Sequence, residues 1–250
     1  MGALNRLVRS TLFISDLHLC AERPRITQLF TRFITATAPG AEALYILGDL
    51  FEHWLGDDQL DEDPLARDVA GQLHGLAAAG TSIFFMRGNR DFLVSERFAV
   101  QAGLRILTDP TLIEVDGNPV LLMHGDTLCT DDKSYQSFRQ QVRDSDWQKA
   151  ILGKPYRERA ALAQSIRSQS DIEKSMKADA IMDVNTEAVS AAFRDNGYPV
   201  LVHGHTHRPA RHEQALDGRS CFRWVLQDWH DAGGYLAVAG GEWRATVLNA

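Results

Sequence analysis

TLFISDLHL, residues 11–19, runs a short β-prone segment straight into an aspartate and a histidine one residue apart. The same grammar recurs four times. Residues 43–47 lead into Gly48-Asp49, residues 82–86 into RGNRD (87–91), residues 120–123 into HGD (124–126), and residues 199–202 into HGHTH (203–207). Short, continuous apolar runs of this kind read as strands buried on both faces. Helical spacing fills the gaps. Residues 26–37 place Ile26, Leu29, Phe30, Phe33 and Ile34 on one face, and residues 64–79 do so with Leu65, Val69, Leu73 and Leu76 before Gly80 as the stop. Strands alternating with helices predict an α/β layered sheet.

From about residue 130 to 182 the alternation breaks. Tyr135, Phe138, Val142, Trp147, Ile151 and Leu152 follow helical spacing, as do Ala161, Leu162, Ile166, Ile172 and Met176. The expectation is one domain over 1–250 carrying a helical insertion near 130–182. Residues 221–226, 235–239 and 243–248 read as further strands, with glycine pairs at 233–234 and 240–241 as their turns.

Composition narrows the class. Hydrophobic residues make up 44% and charged residues 24%, an ordinary soluble balance. No apolar run approaches the ~18 residues of a membrane span. The amino-terminal stretch has too short an apolar run for a secretory signal, so a cytoplasmic location is expected. Cys20, Cys129 and Cys221 form no CxxC pair and read as reduced thiols. A net charge of −7 argues against a nucleic-acid partner. The insertion departs from that average: residues 133–177 hold ten Lys/Arg against five Asp/Glu, a local +5 that leaves −12 elsewhere.

Each strand end carries metal-ligand side chains: Asp16 and His18, Asp49, Asn89, His124, then His205 and His207. Ligands gather beyond the carboxyl ends of strands in such folds, so neighbouring strands would bring the seven together. Mixed carboxylate, amide and imidazole donors suit Mn²⁺, Fe or Zn²⁺. Alternate residues of an extended chain share a face, which would aim both members of Asp-x-His and His-x-His. Gly48, Gly88, Gly125 and Gly204 would allow sharp turns and close backbone approach. A lone Asp-x-His carries little information. Five such motifs in order, each after a strand, are hard to obtain without a site.

In that order D-x-H, GD, GNRD, HGD and GHTH resemble the calcineurin-like metallophosphoesterases, which implies a layered α/β sandwich with the helical insertion as a lid over the site. The resemblance implies two divalent ions, manganese being the expected one. Asp16, His18, Asp49 and His207 would hold the first, and Asp49, Asn89, His124 and His205 the second, with Asp49 bridging. A finer resemblance lies in GDLFEHWLGDD, RGNRDFL, LMHGDTLCTDDKSYQSFR, IMDVN and VHGHTHRP. These are similar to the UDP-2,3-diacylglucosamine diphosphatases of bacterial lipid A biosynthesis, except at His53, where a small residue is usual. The implied reaction splits a UDP-linked diacylated glucosamine into UMP and 2,3-diacylglucosamine 1-phosphate at the cytoplasmic face of the inner membrane. An anionic membrane surface is the expected neighbour, and no obligate protein partner is evident.

Asp49, Asn89 and Arg90 are the expected catalytic residues, with Arg90 neutralising charge on a phosphate oxygen. Asn89, Arg90, Asp132, Tyr135, Arg167, Ser170, Lys174, Lys177 and His205 would contact substrate. Lys174 and Lys177 stand three residues apart and share a helical face with Ser170. Asp91 and Asp126 are candidates to orient ligand imidazoles, or are turn formers. His203 reads as a packed strand-end histidine, and Asp57 and Asp58 as loop or cap residues. Phe138, Val142, Ile151 and Leu152 fit helix packing, or in part a cradle for acyl chains. The competing readings are a metallophosphoesterase for soluble nucleotides or phosphoproteins and a non-catalytic scaffold, which has no need to keep all seven ligand types.

Overall fold

The computed structural model describes residues 9–176 and 183–249, with side chains described for 9–166 and 183–249. Two sheets stack face to face. The first has the order β11-β10-β1-β2-β3-β4, built from β1 (Thr11–Ile14), β2 (Ala43–Ile46), β3 (Ser82–Met86), β4 (Arg105–Leu107), β10 (Ala232–Ala239) and β11 (Glu242–Asn249). The second has the order β5-β6-β7-β9-β8, from β5 (Thr111–Val115), β6 (Asn118–Leu122), β7 (Val200–His203), β8 (Ala210–Leu216) and β9 (Arg219–Val225). The five motif-bearing strands are thus divided. β1, β2 and β3 are parallel neighbours in one sheet, and β6 and β7 are parallel neighbours in the other.

Strand alternation explains the layers. Leu12, Ile14, Leu44 and Ile46 face outward into a core covered by α1 (Pro24–Arg32), α3 (Pro64–Ala78) and α4 (Glu96–Ala102). Phe13, Ala43 and Tyr45 face inward and meet Val120, Leu122 and Val202 of the second sheet. Phe13, Tyr45 and Phe84 stack across β1, β2 and β3 at 5.3 and 4.8 Å between ring centroids. Full burial of such a ring contributes roughly 1.5–3 kcal/mol of transfer free energy, and the half-buried Phe84 contributes less. The other face of the second sheet packs on α8 (Thr186–Asp195) through Leu121, Leu201, Val189 and Phe193. The order of layers is helix, sheet, sheet, helix, which bears out the layered α/β expectation.

Local signals set the helix ends. The Asp63 carboxylate accepts from Leu65 N at 2.9 Å, and Pro64 opens α3. Gly80, at φ +100°, leads out of it. The helix expected over 26–37 is α1 followed by a π-helical turn, Phe33–Thr37, which carries Phe33 and Ile34 into the core. A short α2 (Gln59–Glu62) precedes α3. The glycine pair 233–234 is no turn. Both residues lie within β10, where a Cβ on Gly233 would meet the Trp229 ring at 2.8 Å. Between β6 and β7 the chain leaves the sheet for α5 (Lys133–Arg143), α6 (Ser145–Leu152) and α7 (Tyr156–Met176), then returns through α8. Arg167, Ser170 and Lys174 fall on α7 beyond the described side chains, and Lys177 lies outside the described residues.

Candidate metal centre

All seven expected ligands converge where the two sheets' carboxyl edges meet. The route there differs from the expectation. β1 ends at Ile14 and β7 at His203, so neither Asp-x-His nor His-x-His is extended. Asp16, His18, Asp49, His205 and His207 instead have positive φ, at 55°, 49°, 54°, 69° and 53°. Left-handed backbone at a non-glycine residue costs on the order of 1–2 kcal/mol, and such strain clusters at functional sites.

Ladder-like hydrogen bonds past the strand ends hold these loops. Asp16 N donates to Gly48 O at 3.1 Å, His18 N to Asp49 O at 2.9 Å, and Gly204 N to His124 O at 2.9 Å. Two links join the sheets: His205 N donates to the Asp16 carboxylate at 2.9 Å, and His124 Nδ1 lies 2.8 Å from Leu47 O. A Cβ on Gly88 would collide with the Asp49 carboxylate and backbone, and one on Gly204 with Asp16 and Ser15. Those two glycines permit close approach. Gly48 and Gly125, at φ +91° and +118°, make the turns.

Two donor groups emerge. In the first, His18 Nε2 and His207 Nε2 are 3.4 Å apart, and His207 Nε2 is 3.6 Å from Asp16 Oδ1. In the second, Asn89 Oδ1 sits 3.0 Å from His124 Nε2 and 2.9 Å from His205 Nδ1. Asp49 stands between them, with Oδ2 3.8 Å from His18 Nε2 and Oδ1 3.9 Å from His124 Nε2. Separations of about 3–4 Å between donors are those around ions bonded at ~2.0–2.2 Å.

The electrostatics fit divalent cations. Burial pushes His18 and His205 down to about 3, so both imidazoles are neutral with a lone pair to give. Burial, with Asp91 and Asp16 nearby, pushes Asp49 up to about 7 against the pull of His124 and Arg90. Burial alone would also raise Asp16, but hydrogen bonding to His207 and the charges of His124, His207 and His18 hold it well below the usual carboxylate range. His124 rises to about 9: burial opposes this, and the Asp49, Asp126 and Asp16 carboxylates outweigh it. These buried carboxylates therefore borrow a protonated imidazole as counter-charge. Divalent ions would replace that proton, and ligation would release it.

Asp91 makes the backbone contacts of the turn-forming reading, and Asp126 reaches α5 rather than an imidazole. Asp91 touches no imidazole. Its carboxylate accepts from Gly88 N at 2.8 Å, Leu50 N at 2.7 Å and Asp49 N at 3.3 Å, three buried donors that would otherwise be unsatisfied. Asp126 accepts from Tyr135 Oη and Arg139 Nε, each at 2.7 Å, and so ties α5 to the His124 loop. His203 is packed as expected, between Gly204 O and Arg223. Asp57 takes Trp54 Nε1, Ser95 and Phe98 N, and Asp58 pairs with Arg159.

A cleft of 850 Å³ opens from this centre under the helical insertion. Asn89, Arg90, Asp132, Tyr135, His205 and His207 stand along it. Asp132 accepts from Tyr135 N at 3.0 Å as the cap of α5, besides facing the cleft. An apolar limb of the lining comprises Phe92, Phe138, Val142, Trp147, Ile151 and Ile166, with Arg143 and Arg159 among its neighbours. Leu152 is largely exposed. Glu52, Arg143 and Arg159, which no sequence motif marks as site residues, also line the cleft. Arg143 donates to Gly88 O at 2.8 Å, and buried Arg159 donates to Leu55 O at 2.7 Å. In the sequence the two arginines stand out only as basic residues at helical positions.

A two-sheet sandwich with two such donor groups at one edge defines a phosphoesterase of the dimetal type, and residues 10–209 match the calcineurin-like phosphoesterase family model. Similar whole-length relatives are UDP-2,3-diacylglucosamine hydrolases. The protein of Aromatoleum aromaticum is 56% identical over 92% of this chain and 94% of its own. Those of Stenotrophomonas maltophilia and Cellvibrio japonicus are 49% and 50% identical, covering 96% and 90% of this chain and 98% and 92% of theirs. The chain belongs to the calcineurin-like phosphoesterase family and, within it, to the UDP-2,3-diacylglucosamine hydrolases; it is a metal-dependent hydrolase.

Proposed function

We propose that the protein hydrolyses the diphosphate of UDP-2,3-diacylglucosamine, giving UMP and 2,3-diacylglucosamine 1-phosphate as a step of lipid A biosynthesis. The observation that carries this reading is the continuity of the metal centre with an apolar limb inside one 850 Å³ cleft. A soluble nucleotide needs no such limb, whereas acyl chains do. Asp16, His18, Asp49 and His207 would hold one ion, and Asp49, Asn89, His124 and His205 the other, with manganese as the metal. Two divalent ions there supply Lewis acidity toward phosphoryl oxygens and make hydroxide accessible near neutral pH. Arg90, at the cleft mouth, presents its guanidinium to a phosphate oxygen and offsets charge there. Asn89 and His205 face the same space, and Asp132 and Tyr135 line the path toward the insertion. Arg167, Ser170, Lys174 and Lys177 belong to this substrate set by resemblance.

Turnover of the acylated UDP-sugar should vanish after chelation and return with Mn²⁺. Hydrolysis of simple nucleotide or phosphoprotein substrates, with the acylated sugar untouched, would favour the broader metallophosphoesterase reading. No hydrolysis of either would leave the scaffold.

A peripheral position on the cytoplasmic face of the inner membrane completes the proposal. Leu152 and Leu162 are 42% and 38% exposed on the insertion, beside exposed Lys149, Lys154 and Arg157. Lys149 and Lys154 pair with Asp146 and Glu158, so attraction rests on the net basic excess of the insertion. Among the described residues no helix is long and apolar enough to cross a membrane. Interfacial elements of this type bind anionic lipid through charge plus apolar burial. Flotation with phosphatidylglycerol vesicles should show binding that weakens from 50 mM to 500 mM salt. Salt-independent binding, or none, would remove the membrane from the proposal.

A further inference from the structure

Glu52 is 8% exposed and stands outside both donor groups, yet each of its carboxylate oxygens has a different partner. Oε2 lies 3.4 Å from Nδ1 of His18, the ring nitrogen turned away from the metal centre. Oε1 lies 3.8 Å from Nη1 of Arg90. Its backbone is fixed, since Glu52 N donates to Leu19 O at 3.2 Å beside the Leu19–Phe51 bridge. The His18 loop and the Glu52 loop are therefore tied together through the backbone. His18 Nδ1 is buried and makes no hydrogen bond of normal length and angle. Glu52 is the carboxylate placed to receive its proton, and an N–H donated there leaves Nε2 as the free lone pair. By comparison, His207 has Asp228 at 3.7 Å from its Nδ1. Outer carboxylates of this kind fix the tautomer and orientation of a ligating imidazole.

We infer that Glu52 is a positioning residue that couples one metal site to the phosphate-binding arginine: one oxygen sets the His18 ring, and the other holds the Arg90 guanidinium at the cleft mouth. This rests on the metal and phosphate roles proposed above for His18 and Arg90. Glu52 touches no reacting atom. A single carboxylate serving both sets the distance between a metal ligand and an anion-binding group, and so fits the centre to a phosphate that must meet both.

The test uses chelator-stripped protein titrated with Mn²⁺ by calorimetry, then steady-state kinetics on the acylated UDP-sugar at saturating Mn²⁺. Wild type should bind two equivalents. Glu52→Ala should weaken one of them by about ten- to a hundredfold, leave the other in place, and raise KM. Glu52→Gln keeps an acceptor for His18 but loses the charge facing Arg90. Its Mn²⁺ isotherm should stay within about threefold of wild type while KM rises several-fold. The inference is overturned if both variants keep the wild-type isotherm and KM, or if Gln and Ala lose metal equally. It is also overturned if Ala lowers only the melting temperature, since Glu52 would then merely fill space. Wild type that binds no Mn²⁺ in the same titration would bring down the metal reading itself.

Discussion

Asp49→Asn is expected to abolish turnover, by about a thousandfold or more, while the protein stays folded. Asp49 is 2% exposed, faces His18 with one oxygen and His124 with the other, and also accepts from Arg90 N at 2.8 Å. Asparagine keeps the shape and one acceptor, so the Arg90 loop retains its anchor. It loses the negative charge that both donor groups share. A thousandfold is ~4 kcal/mol of barrier, well within what removing a shared ligand can do. Without metal the sign of the stability effect reverses. Burial holds Asp49 at about 7, above an ordinary carboxylate. A carboxyl group whose pKa is raised by folding favours the folded state when protonated, and that advantage is lost as pH rises from the unfolded value, near 3.9, toward 7. Chelator-treated Asp49→Asn should therefore melt no lower than chelator-treated wild type at pH 8, while Mn²⁺ stabilises only wild type strongly. Activity within about threefold of wild type would remove the assigned centre.

The sequence exposed the seven donor side chains because each motif is local: a buried apolar run with one or two donors just beyond it and, in four of the five, a glycine alongside. Which strands are neighbours is not local. Nothing in residues 120–123 says that they pair with residues 200–202 in one sheet while residues 11–14 pair with residues 43–46 in another. Both sheets end at one edge, so the donors converge whichever sheet their strand joins. Strand alternation failed as the aiming device for a related reason. Side chains that must point back across the ends of two sheets need left-handed backbone, and Asp16, His18, Asp49, His205 and His207 adopt it despite their Cβ atoms. Propensity counts against such conformations, so the tertiary contacts must impose them. Asp91 and Asp126 were legible as important and not in their targets, since an aspartate in a turn reaches backbone N–H groups and imidazoles equally well. Glu52 was quoted within GDLFEHWLGDD, yet its partners lie 34 and 38 residues away along the chain. Glycines 233 and 234 misled because a paired glycine reads as a turn. Here the missing Cβ makes room for Trp229 and Gln227.

Filling the apolar limb should separate the chemistry from the recognition of the acyl chains. Ala163 lines the cleft on α7, is not one of the donor residues, and is only partly buried. An indole there would take up cleft volume that the apolar side chains line. If acyl chains use that limb, Ala163→Trp should cut kcat/KM for the acylated UDP-sugar by about a hundredfold, ~2.7 kcal/mol. Several buried methylenes at ~0.8 kcal/mol each account for a loss of that size. A small chromogenic phosphodiester needs only the metal centre, and its hydrolysis should stay within about threefold of wild type. The smaller change Phe138→Ala should show the same bias more weakly, because it enlarges the limb and removes apolar contact without blocking it. Arg167→Ala and Lys177→Ala are expected to act on the acylated substrate too, through charge, and so with a salt dependence that Ala163→Trp lacks. Equal losses on both substrates for Ala163→Trp would mean that the limb supports the metal centre or the fold. The acyl chains would then have to lie elsewhere, and the continuity of the cleft would no longer argue for a lipid substrate.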